Sequence, residues 1–153
     1  MPPTGPMSQL LDLLWPYALM LVSAFGAATL LPLSSEAVLV AAIKAGVASP
    51  AGLIVTATVG NVAGSCLNWW LGRHLRRFEG RRWFPVTADG IARASERFRR
   101  FGLWSLLFAW LPVVGDPLTL VAGVLRVPFG RFLALVAIGK SLRYLALAAA
   151  FGL

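Results

Sequence analysis

Charge is scarce in this 153-residue sequence, and its scarcity narrows the class of protein. Only 13% of the residues are charged, 58% are hydrophobic, and the mean hydropathy is +0.76. Soluble domains carry about 25% charged and about 45–50% apolar residues, so this chain has too little polar surface to coat a globule in water. Uncharged runs at residues 13–33 and 45–72 both reach the ~20 residues that a membrane-spanning helix needs. We therefore expect a single membrane domain over residues 1–153.

Residues that carry catalysis or bind metals are nearly missing. Cys66 is the only cysteine and excludes a disulfide within one chain, while His74 is the only histidine and stands beside Arg73. One cysteine and one histidine make no metal cluster, and the sequence contains no Ser-His-Asp arrangement or glycine-rich phosphate loop. The sequence therefore predicts a protein that is not an enzyme, with no catalytic residues, no metal site and no cofactor.

Basic residues are concentrated in one stretch of the chain. The first 43 residues contain no lysine or arginine, whereas residues 73–100 contain nine arginines and only three acids. A basic loop between apolar segments is typical of the cytoplasmic side of a multi-pass inner-membrane protein. The loop would face the anionic cytoplasmic leaflet, and residues 87–101 within it predict a short helix lying on that surface. Nucleic acid is not an expected partner.

Two apolar segments are interrupted by proline and polar residues. The first, residues 8–47, breaks at Pro32, because proline cannot continue the hydrogen bonds of a helix. Two serines then precede Glu36 and resemble a new N-cap. The second segment, residues 101–125, breaks from Pro112 through Gly115 to Pro117. An uninterrupted apolar helix is expected after each, over residues 51–72 and 131–153.

The two breaks share a pattern at an offset of 80 residues, Leu31-Pro32-x-x-x-Glu36 and Leu111-Pro112-x-x-x-Asp116. Repeat one would cover about residues 9–72, the basic loop 73–100, and repeat two about 101–153. If each broken segment enters and leaves on one side, the second repeat is inverted relative to the first, which puts the turn with Arg126 and Arg131 on the cytoplasmic side. The alternative is that the broken segments span. We expect an all-α integral membrane protein of two inverted repeats, each a re-entrant broken-helix hairpin followed by a transmembrane helix.

Charged residues at membrane depth are candidates for function, because a charge in the hydrocarbon region costs at least about 2.5–3.5 kcal/mol on insertion scales. Glu36 and Asp116 are candidates for transport and proton coupling, since burial and a nearby cation act in opposite directions on a carboxyl group. Lys140 and Arg143 share a helix face. They are candidates for binding a lipid head group or, alternatively, for a structural ion-pair cluster with the two acids.

Asn61 and Asn68 lie seven residues apart and share a face of the first uninterrupted helix. They are candidates for lining the same cavity, and the alternative is that they hold helices together. Gly60-x-x-x-Gly64 on that helix is a common packing motif.

The sequence resembles the DedA family, the SNARE-associated or VTT group of membrane proteins, and within it the short YqaA-like branch. The resemblance covers roughly residues 15–150 and rests on a combination of motifs: Leu31-Pro32-x-x-x-Glu36, Gly60-Asn61-x-x-Gly64-x-x-x-Asn68-x-x-x-Gly72-Arg73, Pro112-x-x-x-Asp116 to Ala122-Gly123, and Gly139-Lys140-x-Leu142-Arg143-Tyr144. It implies two re-entrant hairpins that face each other. It also implies proton-driven movement of lipids, such as phospholipids or undecaprenyl phosphate, between leaflets.

The sequence departs from the family pattern around the second hairpin. Family members have arginines near the proline of that hairpin, whereas this chain has Ala109 and Gly115 in their places. Arg126 or Arg143 would then have to hold the lipid phosphate, or the substrate differs. A proton-linked transporter of small solutes or ions, and a non-transporting protein that supports envelope integrity, remain alternatives. Membrane lipids are the expected partners, and so thin a bundle also allows a homodimer.

Overall fold

The computed structural model describes residues 5–29, 35–74, 88–111, 114–150 and 152, and every regular element within these ranges is helical. The elements are α1 (Pro6–Ala28), α2 (Ser35–Lys44), α3 (Pro50–Arg73), α4 (Ala88–Phe101), the 3-10 helix η1 (Gly102–Trp110), α5 (Gly115–Val124) and α6 (Phe129–Ala150). The predicted all-α class is confirmed. Two of the four predicted breaking residues, Pro32 and Pro112, lie outside the described residues.

Three helices, α1, α3 and α6, are long and apolar enough to cross a membrane. The sequence predicted α3 and α6 as spanning helices. It predicted α1 as one arm of a hairpin, yet this helix has 23 residues and also reaches spanning length. By contrast, the short helices α2 and α5 have 10 residues each. Each rises about 15 Å, about half of the ~30 Å hydrocarbon core, so neither spans it alone.

Helix α1 runs parallel to α3. The hydroxyl of Tyr17 lies 3.5 Å from Oγ of Ser49, just before α3 begins, whereas the carbonyl oxygen of Ala28 accepts a hydrogen bond of 2.8 Å from Asn68, near the end of α3. The chain therefore passes from α1 through α2 and returns close to the level of Tyr17 before α3 starts.

Helix α6 runs antiparallel to α3. Its first turns lie beside the end of α3, where the ring of Trp69 is 5.9 Å from that of Phe132. Further along α6, the hydroxyl of Tyr144 accepts a hydrogen bond of 3.1 Å from Asn61. Asn61 lies about two turns before Trp69 in α3. The η1 helix accompanies α6, because Arg143 of α6 donates to the carbonyl oxygen of Trp110 at 2.9 Å.

Glycines allow the long helices to approach their neighbours closely. A Cβ at Gly60 or Gly64 would meet the backbone of α1, so the predicted packing motif is a helix contact. At the other end of α3, a Cβ at Gly72 would overlap the carbonyl group of Leu120, and one at Gly123 would overlap that of Trp69. The α3 and α5 backbones therefore touch without intervening side chains.

The short helix α4 is held against the second half by Phe98. Its side chain is 7% exposed and belongs to a hydrophobic cluster that includes Leu106, Leu118 and Val127. The sequence predicted a short helix over residues 87–101, and α4 covers Ala88–Phe101. Exposed arginines lie at the same end of the molecule, at the end of α3, on α4 and around the start of α6: Arg73, Arg93, Arg97, Arg99, Arg100, Arg126 and Arg131.

Candidate functional site

An ion pair joins the first broken segment to the last long helix. The carboxylate of Glu36, in the first turn of α2, contacts the guanidinium group of Arg143 in α6. The side chain of Arg143 is 17% exposed and that of Glu36 is 35% exposed, so the pair lies at the edge of the interior rather than in its centre. A carboxylate in the first turn also interacts favourably with the helix dipole, which adds to the placement of Glu36.

Arg143 also contacts the second broken segment. Its Nη1 donates 2.9 Å to the carbonyl oxygen of Trp110, the last residue of η1. The two terminal nitrogens of one guanidinium group therefore contact α2 and η1, which are far apart in the sequence. The planar fork of an arginine suits this double contact better than the single ammonium of a lysine would.

Lys140, one turn before Arg143, lies in the interior between α3 and α6. Only 2% of Lys140 is exposed, and its ammonium donates to Oδ1 of Asn61 and, at 3.4 Å, to the backbone oxygen of the same residue. A lysine is rarely this buried unless it is paired. Here its direct acceptors are neutral oxygens, and Asp116 acts on it electrostatically at longer range.

Asp116 lies in the first turn of α5, the position that matches Glu36 in α2. Its backbone oxygen accepts a hydrogen bond of 2.8 Å from the hydroxyl of Thr119. Among the described residues its carboxylate makes no ion pair within 4 Å, in contrast to Glu36, but it interacts electrostatically with Lys140. The structure thus associates each acid with one of the two predicted cations.

Asn61 and Asn68 are both buried, at 3% and 1% exposure. Asn61 contacts Lys140 and Tyr144 across the α3–α6 interface. Asn68 donates to the backbone oxygen of Ala28 at 2.8 Å and to the hydroxyl of Thr119 at 3.3 Å, and so links α3 to the end of α1 and to α5. Both asparagines therefore hold helices together. Among the described residues, Oδ1 of Asn68 has no donor.

Gly115 allows the second broken segment to close tightly. A Cβ at this position would overlap the carbonyl group of Ala109, so no larger side chain fits without moving the backbone. An arginine, which the resemblance leads one to expect at this position, would therefore not fit this backbone. Pro117 is the third residue of α5 and costs no hydrogen bond, because the first backbone N–H groups of a helix have no partner within it.

The structure does not bring every predicted residue to this site. Arg126 is exposed, with a positive φ of 54°, in the turn between α5 and α6 at the basic end of the molecule. Arg143, by contrast, contacts the second broken segment, because it donates to the carbonyl oxygen of Trp110, the residue after Ala109.

Two residues of the site were missed by sequence reasoning. The buried hydroxyl of Tyr144 lies 3.0 Å from Oγ of Ser35, which immediately precedes Glu36. Tyr144 is four residues after Lys140, a spacing that places both on one helix face, so this residue could have been found from the sequence. Ser35 could not, because its contact depends on how α2 packs against α6.

Three apolar helices of spanning length, with charged and polar groups buried where they meet, define a helical membrane protein. Residues 15–152 match the VTT domain. The chain belongs to this family, the DedA family of membrane proteins, as its motifs predicted. No solved structure has significant similarity to the chain.

The chain matches its relatives over most of their own length. The inner membrane protein YqaA of Escherichia coli is 42% identical over 130 residues, which are 84% of this chain and 85% of that protein. The protein of the same name from Shigella flexneri matches equally. An uncharacterized protein of Haemophilus influenzae is 35% identical over 135 residues, or 84% of this chain and 82% of that one. The chain is thus an inner-membrane protein of the VTT family.

Proposed function

We propose that this protein moves lipids between the leaflets of the inner membrane, as a transporter or scramblase linked to protons. The substrate class is a lipid with a phosphate in its head group, such as a phospholipid or undecaprenyl phosphate. One observation carries the proposal: Arg143 joins Glu36 of the first broken segment to the backbone of the second. A charged group that bridges both broken segments is suited to respond to a substrate between them.

The directions of the helices support a re-entrant first segment. From Tyr17 to Ala28 helix α1 rises about 17 Å, which is about half of the ~30 Å hydrocarbon core. The chain then comes back through α2 to Ser49, near Tyr17. In this proposal residues 17–44 form the hairpin and α3 makes the crossing.

The contact between Asn61 and Lys140 supports inverted repeats. These residues are 79 positions apart, nearly the same offset that relates Glu36 to Asp116. Matching residues of two repeats contact each other when a pseudo-two-fold axis passes between them. When that axis lies in the membrane plane, the two helices it relates are antiparallel, as α3 and α6 are. We propose the basic end, with α4, as the cytoplasmic side, because its arginines would face the anionic leaflet.

The ion pair suggests how proton and lipid exchange. A proton taken up by the Glu36 carboxylate neutralises it and releases Arg143, whose guanidinium can then bind a phosphate with two hydrogen bonds. When the phosphate leaves, the carboxyl group gives up its proton and pairs with Arg143 again. The part-exposed Glu36 allows such an exchange. Lys140 and Asp116 provide a second cation and acid deeper in the bundle.

Reconstitution of the purified protein into vesicles with fluorescent phospholipids or labelled undecaprenyl phosphate tests this function. We expect faster movement between leaflets than in empty vesicles, with a dependence on an imposed pH gradient. Replacing Glu36 and Asp116 by alanine should abolish the movement while the helical content and the elution volume stay unchanged. Asp12→Asn is the matched control, because Asp12 is an exposed acid of α1.

Other outcomes of the same experiment identify other functions. No movement of any lipid, with or without a gradient, contradicts the proposal. Vesicles that instead show proton-linked uptake of small solutes or ions indicate a solute transporter on this scaffold. If Glu36→Ala and Asp116→Ala prevent folding, the charges form a structural cluster, and a role in envelope integrity without transport is favoured.

A further inference from the structure

A continuous chain of hydrogen bonds crosses the interior with Tyr144 in its middle. Lys140 donates to Oδ1 of Asn61, Nδ2 of Asn61 donates to the Tyr144 hydroxyl at 3.1 Å, and that hydroxyl lies 3.0 Å from Oγ of Ser35. The phenolic oxygen accepts from Asn61, and either hydroxyl of the Tyr144–Ser35 pair can donate to the other. The hydrogen bonds therefore run without a gap from Lys140 to Ser35.

Each end of this hydrogen-bond chain lies at one of the two charged groups of the site, which are Glu36 with Arg143 and Lys140 with Asp116. Ser35 directly precedes Glu36, which pairs with Arg143. At the other end Lys140 interacts electrostatically with Asp116. The four members of the chain are at most 3% exposed, so water does not compete for their hydrogen bonds. In such surroundings hydrogen bonds polarise one another.

We infer that Tyr144 is a positioning residue that couples the two acids, because its hydroxyl links Ser35, beside Glu36, to Asn61, which holds the ammonium of Lys140. The inference rests on the proposed function for its purpose, since it joins the charge state of one broken segment to that of the other. The link itself is a property of the folded protein and is measured without any transport.

The hydroxyl of Tyr144 is separable from its ring. The ring packs in a hydrophobic cluster with Met20, Leu39 and Leu53, and Tyr144→Phe keeps that packing while it removes the link. The chain contains two tyrosines, which provides a matched control. Tyr17 has its hydroxyl 3.5 Å from Ser49 at the start of α3, outside the hydrogen-bond chain, so Tyr17→Phe removes a phenolic hydroxyl without breaking the link.

The direct test measures the reaction of Glu36 with a hydrophobic carbodiimide, followed at the level of its peptide by mass spectrometry. We expect Lys140→Met to change the rate of modification of Glu36 by about twofold or more, as for residues coupled through one network. In the Tyr144→Phe background the same substitution should change the rate by less than half as much, whereas in the Tyr17→Phe background the full effect should remain. An equal effect in all three backgrounds overturns the inference.

Fluorine NMR of protein labelled with 3-fluorotyrosine adds a second readout. The two signals are assigned with the two phenylalanine variants. Lys140→Met should move the Tyr144 signal and leave the Tyr17 signal in place, and an unmoved Tyr144 signal contradicts the link. Ser35→Ala, which breaks the link from its other end, should reduce the carbodiimide coupling as Tyr144→Phe does, and it replaces that variant if the latter does not fold.

Lipid movement separates this inference from the proposed function. If the wild-type protein moves lipid, Tyr144→Phe should alter the pH profile of the rate, and Tyr17→Phe should not. If the wild-type protein moves no lipid, the proposed function fails. The carbodiimide coupling then still decides whether Tyr144 joins the two acids.

Discussion

Glu36, at the start of α2, forms an ion pair with Arg143, near the middle of α6. The two residues belong to different halves of the chain, so the pair fixes the first broken segment against the helix that ends the second half. Because Arg143 also binds the Trp110 carbonyl, the loss of this one side chain removes a polar contact from both broken segments at once.

We predict that Arg143→Met lowers stability more than Glu36→Gln does. The arginine variant loses a hydrogen bond to Trp110 and leaves the Glu36 carboxylate without its cation, a loss of about 1–3 kcal/mol. Unfolding by SDS in mixed micelles measures both single variants and the double variant. The double-mutant cycle should give an interaction free energy of about 0.5–3 kcal/mol between the two residues. Additive effects would show that the pair contributes nothing to stability.

The positions of these acids and the two cations that could pair with them were predicted from the sequence, but which cation pairs with which acid was not. The proline four residues before Glu36, and the same spacing before Asp116, indicated that a new helix begins at each acid, as α2 and α5 do. The pairing of Glu36 with Arg143, and of Asp116 with Lys140 at longer range, depends on how α6 packs between the segments. No local pattern encodes that packing.

The lengths of the broken segments were less predictable than their order. Only four residues between Pro6 and Ala28 are clearly polar, namely Ser8, Gln9, Asp12 and Ser23, and the first arm is a long α-helix. The corresponding arm of the second half is a 3-10 helix of 9 residues. The Ala109 carbonyl near the end of this helix lies against Gly115, and this contact is not evident from an apolar run alone.

Gly123 provides a test of the contact between α3 and α5. Gly123→Ala places a methyl group against the Trp69 carbonyl, and the backbones must separate, which we expect to cost about 1–3 kcal/mol as other overpacked contacts do. Thermal unfolding in detergent measures the loss. Gly130→Ala is the control, because a Cβ there meets nothing within 4 Å. Equal melting temperatures for the two variants would contradict the close crossing.

Phe98 provides a test of the position of α4. Phe98→Ala leaves a cavity in the hydrophobic cluster with Leu118 and Val127. For a fully buried phenylalanine this lowers the free energy of unfolding by about 3–5 kcal/mol. We expect α4 to separate from α5 and become sensitive to trypsin at Arg97. Phe101→Ala, at a position that is 56% exposed, should leave trypsin sensitivity unchanged. Protection of Arg97 in both variants would show that other contacts hold α4.

Lys140 distinguishes a functional charge from a structural one. Lys140→Met replaces the ammonium by an apolar group of similar length and removes the cost of burying that charge. Because the direct acceptors of Lys140 are neutral oxygens of Asn61, the substitution breaks no close ion pair of the kind that Glu36 forms with Arg143. Asn61 loses one donor but keeps its bond to Tyr144. We therefore predict a change in stability of less than about 1 kcal/mol, measured by unfolding in SDS, together with loss of lipid movement in vesicles.

Lys44→Met is the control for this prediction, because Lys44 is exposed at the end of α2 and outside the site. It should leave both the stability and the lipid movement unchanged. If Lys140→Met instead unfolds the protein, the buried ammonium is needed to satisfy the oxygens of Asn61, and its role is to hold α3 against α6. If Lys140→Met folds and still moves lipid at the wild-type rate, the charge at this position takes no part in transport, and Arg143 alone remains as the cation for the head group.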